Sequence, residues 1–319
     1  MELPVYTELS NFSVRKGGKK AVADLSVVLI ADRHFDPVEA INSVFQFVSK
    51  SRLRTEFMLI SSDREGLKFD RLMATFPAMR VLFPERELKP GEAIALGTVE
   101  SIAPNVLFMD SQIRIVGMDD EILELYLKEV NYGMVIPLVC GKEDTVLPDV
   151  VQGSVEHGFL RTSSRDIVGT AVPSLSAKYF CFILNRDVFV SREIRLTEYG
   201  KTSYLLLELG YKLWKEGCRV VQARNFKVHY VGEPLPDIDE NLKDADYLSF
   251  HFNNLVSRPF TVQRAPRLLR LILASLFTFQ WKRIGTLAKY LSVQRKKAEQ
   301  DRSKPVDDAA IFAIVNRDM

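Results

Sequence analysis

The chain has 319 residues, enough for one large α/β domain with an appendage or for two ordinary domains. Hydrophobic residues make up 47% of it and charged residues 26%, and these globular proportions exclude disorder over most of its length. The 43 basic and 41 acidic residues give a formal net charge of +2, which argues against a general nucleic-acid-binding protein.

The cysteines and the N-terminus indicate a compartment. Cys140, Cys181 and Cys218 are far apart and odd in number, so they predict buried thiols in a reducing compartment, with neither a disulfide framework nor a zinc site. Residues 1–22 form a basic N-terminal tail without an apolar stretch of signal-peptide length, which predicts a cytoplasmic protein. The most apolar run, 268–281, is interrupted by polar residues and does not reach the roughly 18 residues that span a bilayer.

Strand-like and helix-like segments alternate along the first half of the chain. Short apolar, β-branched runs predict buried strands at four places: 25–31, 57–61, 80–83 and 106–109. Apolar residues at helical spacing predict helices between these strands at 38–48, 69–76 and 92–102. Asp36 and Pro37 mark the start of the first helix. This alternation is typical of an α/β protein with a largely parallel sheet.

An aspartate lies just past three of these strands: Asp32, Asp63 and Asp110. Ligands of open α/β sheets bind beyond the carboxyl ends of the strands, so the three aspartates predict the position of a binding site. A turn former or a helix cap is the alternative role for each of them, and the sequence leaves both roles open.

The second half has fewer periodic segments. It predicts a helix at 121–130, a strand at 133–139 and a loop-rich insertion at 144–165. A strand at 179–184, a helix at 202–215 closed by Gly217, and a pair of strands at 219–223 and 226–230 follow. Residues 23–232 are therefore predicted to form the main domain. Prolines and acidic residues mark 233–246 as a linker, and 247–319 is predicted to be a C-terminal helical region.

Short motifs follow one another through both halves. In the first half, residues 26–34 read SVVLIADRH, 57–65 read FMLISSDRE, 91–97 begin and end with glycine, and a strand ends in Asp110-Ser111-Gln112. In the second half, residues 182–189 read FILNRDVF, 198–200 are a Glu-Tyr-Gly turn, and 203–215 are a helix before Gly217. A strand then ends in Val-His at 228–229, and residues 250–254 read FHFNN.

In order and spacing, these motifs resemble those of the family 2 glycosyltransferases, over about residues 25–266. The resemblance implies an α/β fold of the GT-A (Rossmann-like) type: a mostly parallel sheet flanked by helices, followed by a C-terminal helical tail. It also implies a donor site for a nucleotide diphosphate sugar, with contacts from Asp32, Asp63, Asp110 and Gln112.

The resemblance further implies a divalent cation, Mg²⁺ or Mn²⁺, held by Asp110 and His229. Hard cations prefer oxygen ligands, and they neutralise the departing diphosphate. The family motif has a second acid where this chain has Gln112, so we expect low affinity for the cation. A structural histidine at a strand end is an alternative role for His229.

The family's proton acceptor is missing at its expected place. Counting back from Gly217 puts Leu205 and Leu206 at the family's Glu-Asp pair and Glu208 at the acid that follows. Leu206 cannot accept a proton, so Glu198 and Glu208 are the candidate catalytic bases, with Glu198 ranked first. A charge on a solvent-facing side of the helix is the favoured alternative for Glu208.

Two functions therefore remain. One is a glycosyltransferase of polysaccharide biosynthesis that moves a sugar from a nucleotide diphosphate sugar to a carbohydrate or lipid-linked acceptor, with inversion. The alternative is a catalytically inactive binding or scaffolding protein of the same fold that partners an active transferase. A nucleotidyltransferase ranks last, because residues 31–34 (ADRH) lack the glycines of its nucleotide-binding loop.

The tail at 264–297 combines basic residues with leucine, phenylalanine and tryptophan. Such basic amphipathic segments bind anionic lipids, so the tail predicts peripheral contact with the inner face of the membrane. Packing of this helix on the main domain, or on a second subunit of an oligomer, is the alternative.

Overall fold

The computed structural model describes residues 4–10, 23–31, 37–63, 72, 74–76, 79–119, 126, 128, 131–167, 169, 171–278, 280–301 and 304–317. Asp32 and Asp36, and most of the helices predicted at 69–76 and 121–130, lie outside the described residues.

Twelve strands are described in two sheets. They are β1 Tyr6–Ser10, β2 Leu25–Ile30, β3 Thr55–Ile60, β4 Met79–Pro84, β5 Asn105–Asp110, β6 Ile113–Met118, β7 Tyr132–Cys140, β8 Val150–Glu156, β9 Phe159–Arg165, β10 Ala171–Pro173, β11 Cys181–Asn185 and β12 Arg219–Tyr230. The large sheet has the order β1-β4-β3-β2-β5-β11-β7-β12-β10, with β6 also paired to β12.

Most strands of the large sheet point the same way. The pairings β4-β3, β3-β2, β2-β5 and β7-β12 are parallel. Because β11 runs antiparallel to both β5 and β7, these two groups of strands share one direction. Among the described strands of the large sheet, only β1, β6, β10 and β11 run against them. The predicted mostly parallel α/β sheet is confirmed.

Helices cover both faces of this sheet. They are α1 Val38–Lys50, α2 Pro90–Glu100, α3 Arg186–Ser191, α4 Thr202–Lys215, α5 Ala245–Asn253, α6 Arg258–Phe277, α7 Trp281–Asp301 and α8 Asp308–Val315. Successive side chains of a strand point to opposite faces. Val27 accordingly joins a core cluster with Ile41 of α1, and Val28 joins another with Ile94 of α2 and Leu206 of α4. The result is a three-layer domain.

The prediction of a loop-rich insertion at 144–165 is wrong over most of that segment, because β8 and β9 form an antiparallel hairpin there. The hairpin turns at His157 and Gly158, which have φ angles of 51° and 80°. Two central residues with positive φ are what a tight hairpin turn requires. A side chain at Gly158 would lie 2.3 Å from the carbonyl oxygen of Phe260, so the turn packs directly on α6.

The strand pair predicted at 219–223 and 226–230 is a single strand, β12. The pairing of β12 with β7 shifts register between Ala223 and Lys227, at the break between the two predicted strands. The sequence analysis also missed β6, which pairs with the second part of β12.

Helices α5 to α7 occupy the region predicted to be helical, and they pack on the main domain. Tyr247, Phe252 and Leu287 belong to the same core cluster as Leu206. The acidic stretch before α5 is anchored as well, since Asp237 accepts hydrogen bonds from the backbone and hydroxyl of Ser164. In the described part of the chain, no helix is both long and apolar enough to cross a bilayer. The three cysteines are free and buried, as predicted.

Candidate functional site

A cavity of about 400 Å³ opens at the carboxyl ends of β2, β3, β4 and β5. The sequence predicts a site at this edge of the sheet, since the carboxyl ends of parallel strands meet there. One part of the wall follows these four strands: Ile30, Ala31, Ile60, Ser62, Pro84 and Asp110. The rest comes from the end of β12, at Tyr230, and from nearby loops and helix ends: Glu87, Leu88, Pro90, Ala93, Gln112, Lys178, Phe180, Thr202, Ser203 and Leu235.

Asp110 and Gln112 both line the cavity. Asp110 is the last residue of β5, and its carboxylate accepts a hydrogen bond from the backbone N–H of Gln112 at 2.9 Å. The backbone carbonyl of Gln112 accepts from the N–H of Val231 at 3.0 Å. Asp110 is therefore a turn former and a cavity residue at once, so the two roles considered for it are compatible.

Asp63 lies one residue beyond Ser62, which lines the cavity. The N–H of Asp63 donates to the hydroxyl of Ser61 at 3.2 Å, and this bond fixes the turn after β3. Asp32 lies outside the described residues, directly after Ala31, which also lines the cavity. The described neighbours of both aspartates thus border the same space as Asp110.

His229 is not among the residues that line the cavity. The imidazole Nε2 of His229 is in hydrogen-bond contact with the carbonyl of Gly141, and the next residue, Tyr230, lines the cavity instead. Neighbouring residues of a strand point to opposite faces, which accounts for the difference. Among the described residues, no three His, Cys, Asp or Glu side chains form a group that could hold a metal ion. Of the residues predicted to contact the donor or the cation, Asp110 and Gln112 are the described ones that line the cavity.

The residues at the family's Glu-Asp position lie in the core. Leu205 and Leu206 are 2% and 1% exposed, and neither lines the cavity. Leu205 packs against the start of α2, where it would contact a side chain placed at Gly91. This helix therefore presents no carboxylate to the cavity at the expected position.

Glu208 is fully buried, so the solvent-facing role favoured for it is wrong. Its carboxylate accepts hydrogen bonds from the backbone N–H and hydroxyl of Thr197, at 2.6 and 2.7 Å, and from the amide of Asn254 at 3.1 Å. It also pairs with Lys212 at 3.0 Å. A buried charge is tolerated where hydrogen bonds and an opposite charge replace water, and Glu208 has both.

Glu198 does not line the cavity, but it contacts a residue next to one that does. Its exposed carboxylate pairs with Lys89, which directly precedes the cavity residue Pro90. Of the two candidate bases, it is therefore the one that is accessible from solvent. Glu87 and Asp110 are the carboxylates that line the cavity within the described residues.

The sequence analysis missed the residues that favour an anion. Thr202 and Ser203, the first two residues of the 14-residue helix α4, line the cavity, so the positive end of the helix dipole faces it. Lys178 also lines it and forms an ion pair with Asp237 at 3.0 Å. The Thr-Ser pair at a helix start was the one signal available in the sequence. The position of Lys178 depends on a contact 59 residues away.

Sheet order, flanking helices and cavity position define a GT-A fold. The crystal structure of GalNAc-T7 with UDP, GalNAc and Mn²⁺ matches with a TM-score of 0.56 at 15% identity, over 73% of this chain and 48% of that one. That of S. aureus TarS matches with a TM-score of 0.50 at 11% identity, over 73% of this chain and 39% of that one. The chain thus spans less than half of either neighbour. No protein-family model matches the sequence, and no curated protein matches it.

Proposed function

We propose that this protein is a glycosyltransferase that moves a sugar from a nucleotide diphosphate sugar to a carbohydrate or lipid-linked acceptor, with inversion. The observation that carries the proposal is the cavity at the carboxyl ends of the strands, because it joins Asp110, Lys178 and the first turn of α4 in one space. The fold shared with GalNAc-T7, whose structure contains UDP and GalNAc, supports it.

The walls of the cavity suit the parts of such a donor. Ile30, Ile60 and Pro84 give an apolar surface for a nucleobase. In sequence, Asp63 follows the strand of Ile60, and Asp32, outside the described residues, follows that of Ile30. The cavity also contains a cation, Lys178, and the amino-terminal end of α4, both of which favour the negative charge of a diphosphate. In this arrangement Asp32, Asp63, Asp110 and Gln112 contact the nucleoside and the linked sugar.

Transfer with inversion needs one proton acceptor. The acceptor hydroxyl forms a bond to the anomeric carbon, the bond to the diphosphate breaks, and the hydroxyl proton passes to a carboxylate within hydrogen-bond reach. We assign that role to Glu198, which exchanges its ion pair with Lys89 for the acceptor hydroxyl. Glu208 is the second candidate for the same role, but its oxygens are already engaged.

A second function is favoured by one observation. The family's Glu-Asp position is filled by Leu205 and Leu206, both in the core, so the fold is kept without its usual base. This supports a catalytically inactive protein that binds a nucleotide sugar and partners an active transferase. Turnover, rather than binding, distinguishes the two functions.

The test is a thermal-shift screen against nucleotide diphosphate sugars, with and without Mn²⁺, followed by an assay for released nucleoside diphosphate. A ligand that binds only the folded state raises its stability. Stabilisation with product release supports the transferase. Stabilisation without turnover of any donor supports the binding protein, and no stabilisation by any nucleotide contradicts both.

We also propose peripheral membrane contact through 264–297, at the inner face of the membrane. Leu269, Leu273 and Phe277 are exposed at every fourth residue of α6 and form an apolar stripe, while Arg270 on the same helix and Trp281 at the start of α7 are exposed as well. Apolar area next to positive charge favours anionic lipid surfaces. Co-sedimentation of Phe277→Glu with anionic vesicles should fall well below that of the wild type. If size-exclusion chromatography instead shows an oligomer that Phe277→Glu dissociates, the stripe is a subunit interface.

A further inference from the structure

A second cavity, of about 460 Å³, lies at the other end of α4 from the first. Thr202 at the start of α4 lines the first cavity, and Lys215 at its end lines the second. The thirteen residue steps from Thr202 to Lys215 correspond to about 20 Å along a helix at 1.5 Å per residue. The second cavity is therefore a separate site, and we call it the basic cleft because six cations line it: Arg192, Arg195, Lys212, Lys215, Lys297 and Lys304.

Part of this positive charge is neutralised within the protein. Lys212 pairs with the buried Glu208 at 3.0 Å, and Lys215 pairs with the buried Asp308 at 2.6 Å. Lys304 pairs with Glu216, which also lines the cleft. These contacts fix three of the cations in place.

The remaining positive charge is not balanced. Arg195 has only a distant partner, Glu193 at 3.6 Å, and both side chains are about four-fifths exposed, at 81% and 79%. Across the part of the chain that the structure describes, no carboxylate forms an ion pair with Arg192 or Lys297. The cleft thus keeps an excess of positive charge around a partly enclosed space.

The excess positive charge also affects the pKa of Lys212. Desolvation lowers the pKa of its ammonium group, and repulsion from Lys297 and Lys304 adds to that, against the attraction of Glu208. Cations that repel one another inside a partly enclosed space are stabilised when an anion enters it. Arginine in addition binds phosphate oxygens through two parallel N–H donors, whereas lysine acts as a point charge.

We propose that the basic cleft binds a soluble, compact polyanion of the diphosphate class, separate from the donor bound in the first cavity. Arg192 and Arg195, on the turn after α3, provide the planar donors. Lys297, on α7, lines the same space and provides a point charge. Binding therefore draws α7 and the turn after α3 towards a common ligand.

The test is isothermal titration of inorganic pyrophosphate into three proteins. They are the wild type, the double variant Arg192→Gln/Lys297→Gln, and a control, Lys50→Gln/Lys142→Gln, which removes two positive charges from exposed positions that line neither cavity. UDP is titrated into all three as well, and circular dichroism checks their folding.

We expect pyrophosphate affinity to fall at least about tenfold in the cleft variant and to stay within about twofold in the control, with the affinity for UDP the same in all three. Equal pyrophosphate affinity in the wild type and the cleft variant would overturn the proposal. So would an equal loss in both variants, since it would indicate an effect of net charge alone. Pyrophosphate heat that UDP abolishes fully would place the anion in the first cavity and would also overturn it. If UDP does not bind, the proposed donor site is contradicted, whereas the pyrophosphate result for the basic cleft still stands.

Discussion

Glu208 accepts two hydrogen bonds from Thr197, one from its backbone N–H at 2.6 Å and one from its hydroxyl at 2.7 Å. This buried carboxylate ties α4 to the segment that precedes it. Glu208→Gln replaces one acceptor oxygen with a donor and removes the partner of Lys212, so we predict a loss of about 1.5–3 kcal/mol in the free energy of unfolding. Chemical denaturation at neutral pH measures it.

The matched control is Glu198→Gln, which breaks the ion pair with Lys89 at the surface. Exposed ion pairs contribute about 0–1 kcal/mol, so this variant should unfold close to the wild type. Equal stability of Glu208→Gln and Glu198→Gln would show that the buried hydrogen bonds of Glu208 contribute nothing measurable.

The rate of sugar transfer should show the opposite pattern from stability, since it should depend on Glu198 and not on Glu208. If Glu198 accepts the proton, Glu198→Gln should lower the rate of transfer by about 10²- to 10⁴-fold while donor affinity is kept. Glu208→Gln, assayed at a temperature where it remains folded, should keep the wild-type rate within about threefold. A wild type that turns over while both variants stay within that range would rule out both residues as the base.

The response to divalent cations tests the role of Gln112. Its amide oxygen is a weaker ligand than a carboxylate, and the imidazole of His229 contacts the carbonyl of Gly141, so we predict weak or no dependence on Mg²⁺ or Mn²⁺. Gln112→Asp should strengthen Mn²⁺ binding, measured by calorimetry. Wild-type activity that a chelator abolishes and micromolar Mn²⁺ restores would contradict this account.

The pH dependence of stability follows from Asp149, which is 1% exposed. Burial raises the pKa of its carboxyl group to about 7, although hydrogen bonds from the Val139 N–H and the Gln222 amide oppose the shift. An unfolded aspartate has a pKa of about 3.9. Between about pH 4 and 7 the folded state therefore holds a proton that the unfolded state has lost, so the contribution of Asp149 to stability falls as the pH rises through that range.

Asp149→Asn should remove that slope and raise the free energy of unfolding at pH 8 above that of the wild type. An asparagine can still accept from the Val139 N–H, and its amide can donate to Gln222 Oε1, a buried atom without a hydrogen-bond partner among the described residues. Denaturation curves from pH 4 to 8 measure the effect. The exposed control Asp144→Asn should keep the wild-type slope, and a slope unchanged in Asp149→Asn would rule out Asp149 as its source.

Strong local patterns explain what the sequence could predict. The apolar run of β2 and the periodic residues of α1 and α4 each indicate their own element, and the order of these elements indicates the sheet. Asp110 could be placed because it directly ends a strand of that sheet.

Long-range geometry explains the rest. The register shift between Ala223 and Lys227 intervenes before His229, so the face to which this side chain points could not be counted along the strand. Glu208 is buried because α5 and the segment around Thr197 pack on α4, which the pattern of α4 alone does not reveal. The β8-β9 hairpin was missed because polar residues mask its alternation, and its turn residues, His157 and Gly158, are not the usual pair.

The central claim is that the cavity beside Asp110 binds the nucleotide of a donor, and calorimetric titration of UDP tests it most directly. The comparison uses the wild type, Asp110→Ala, Asp63→Ala and the surface control Asp144→Ala, each checked for folding by circular dichroism. We predict that the wild type and Asp144→Ala bind UDP with equal affinity and that Asp110→Ala and Asp63→Ala bind it more weakly. Unchanged affinity in both cavity variants, with the fold intact, would contradict the claim.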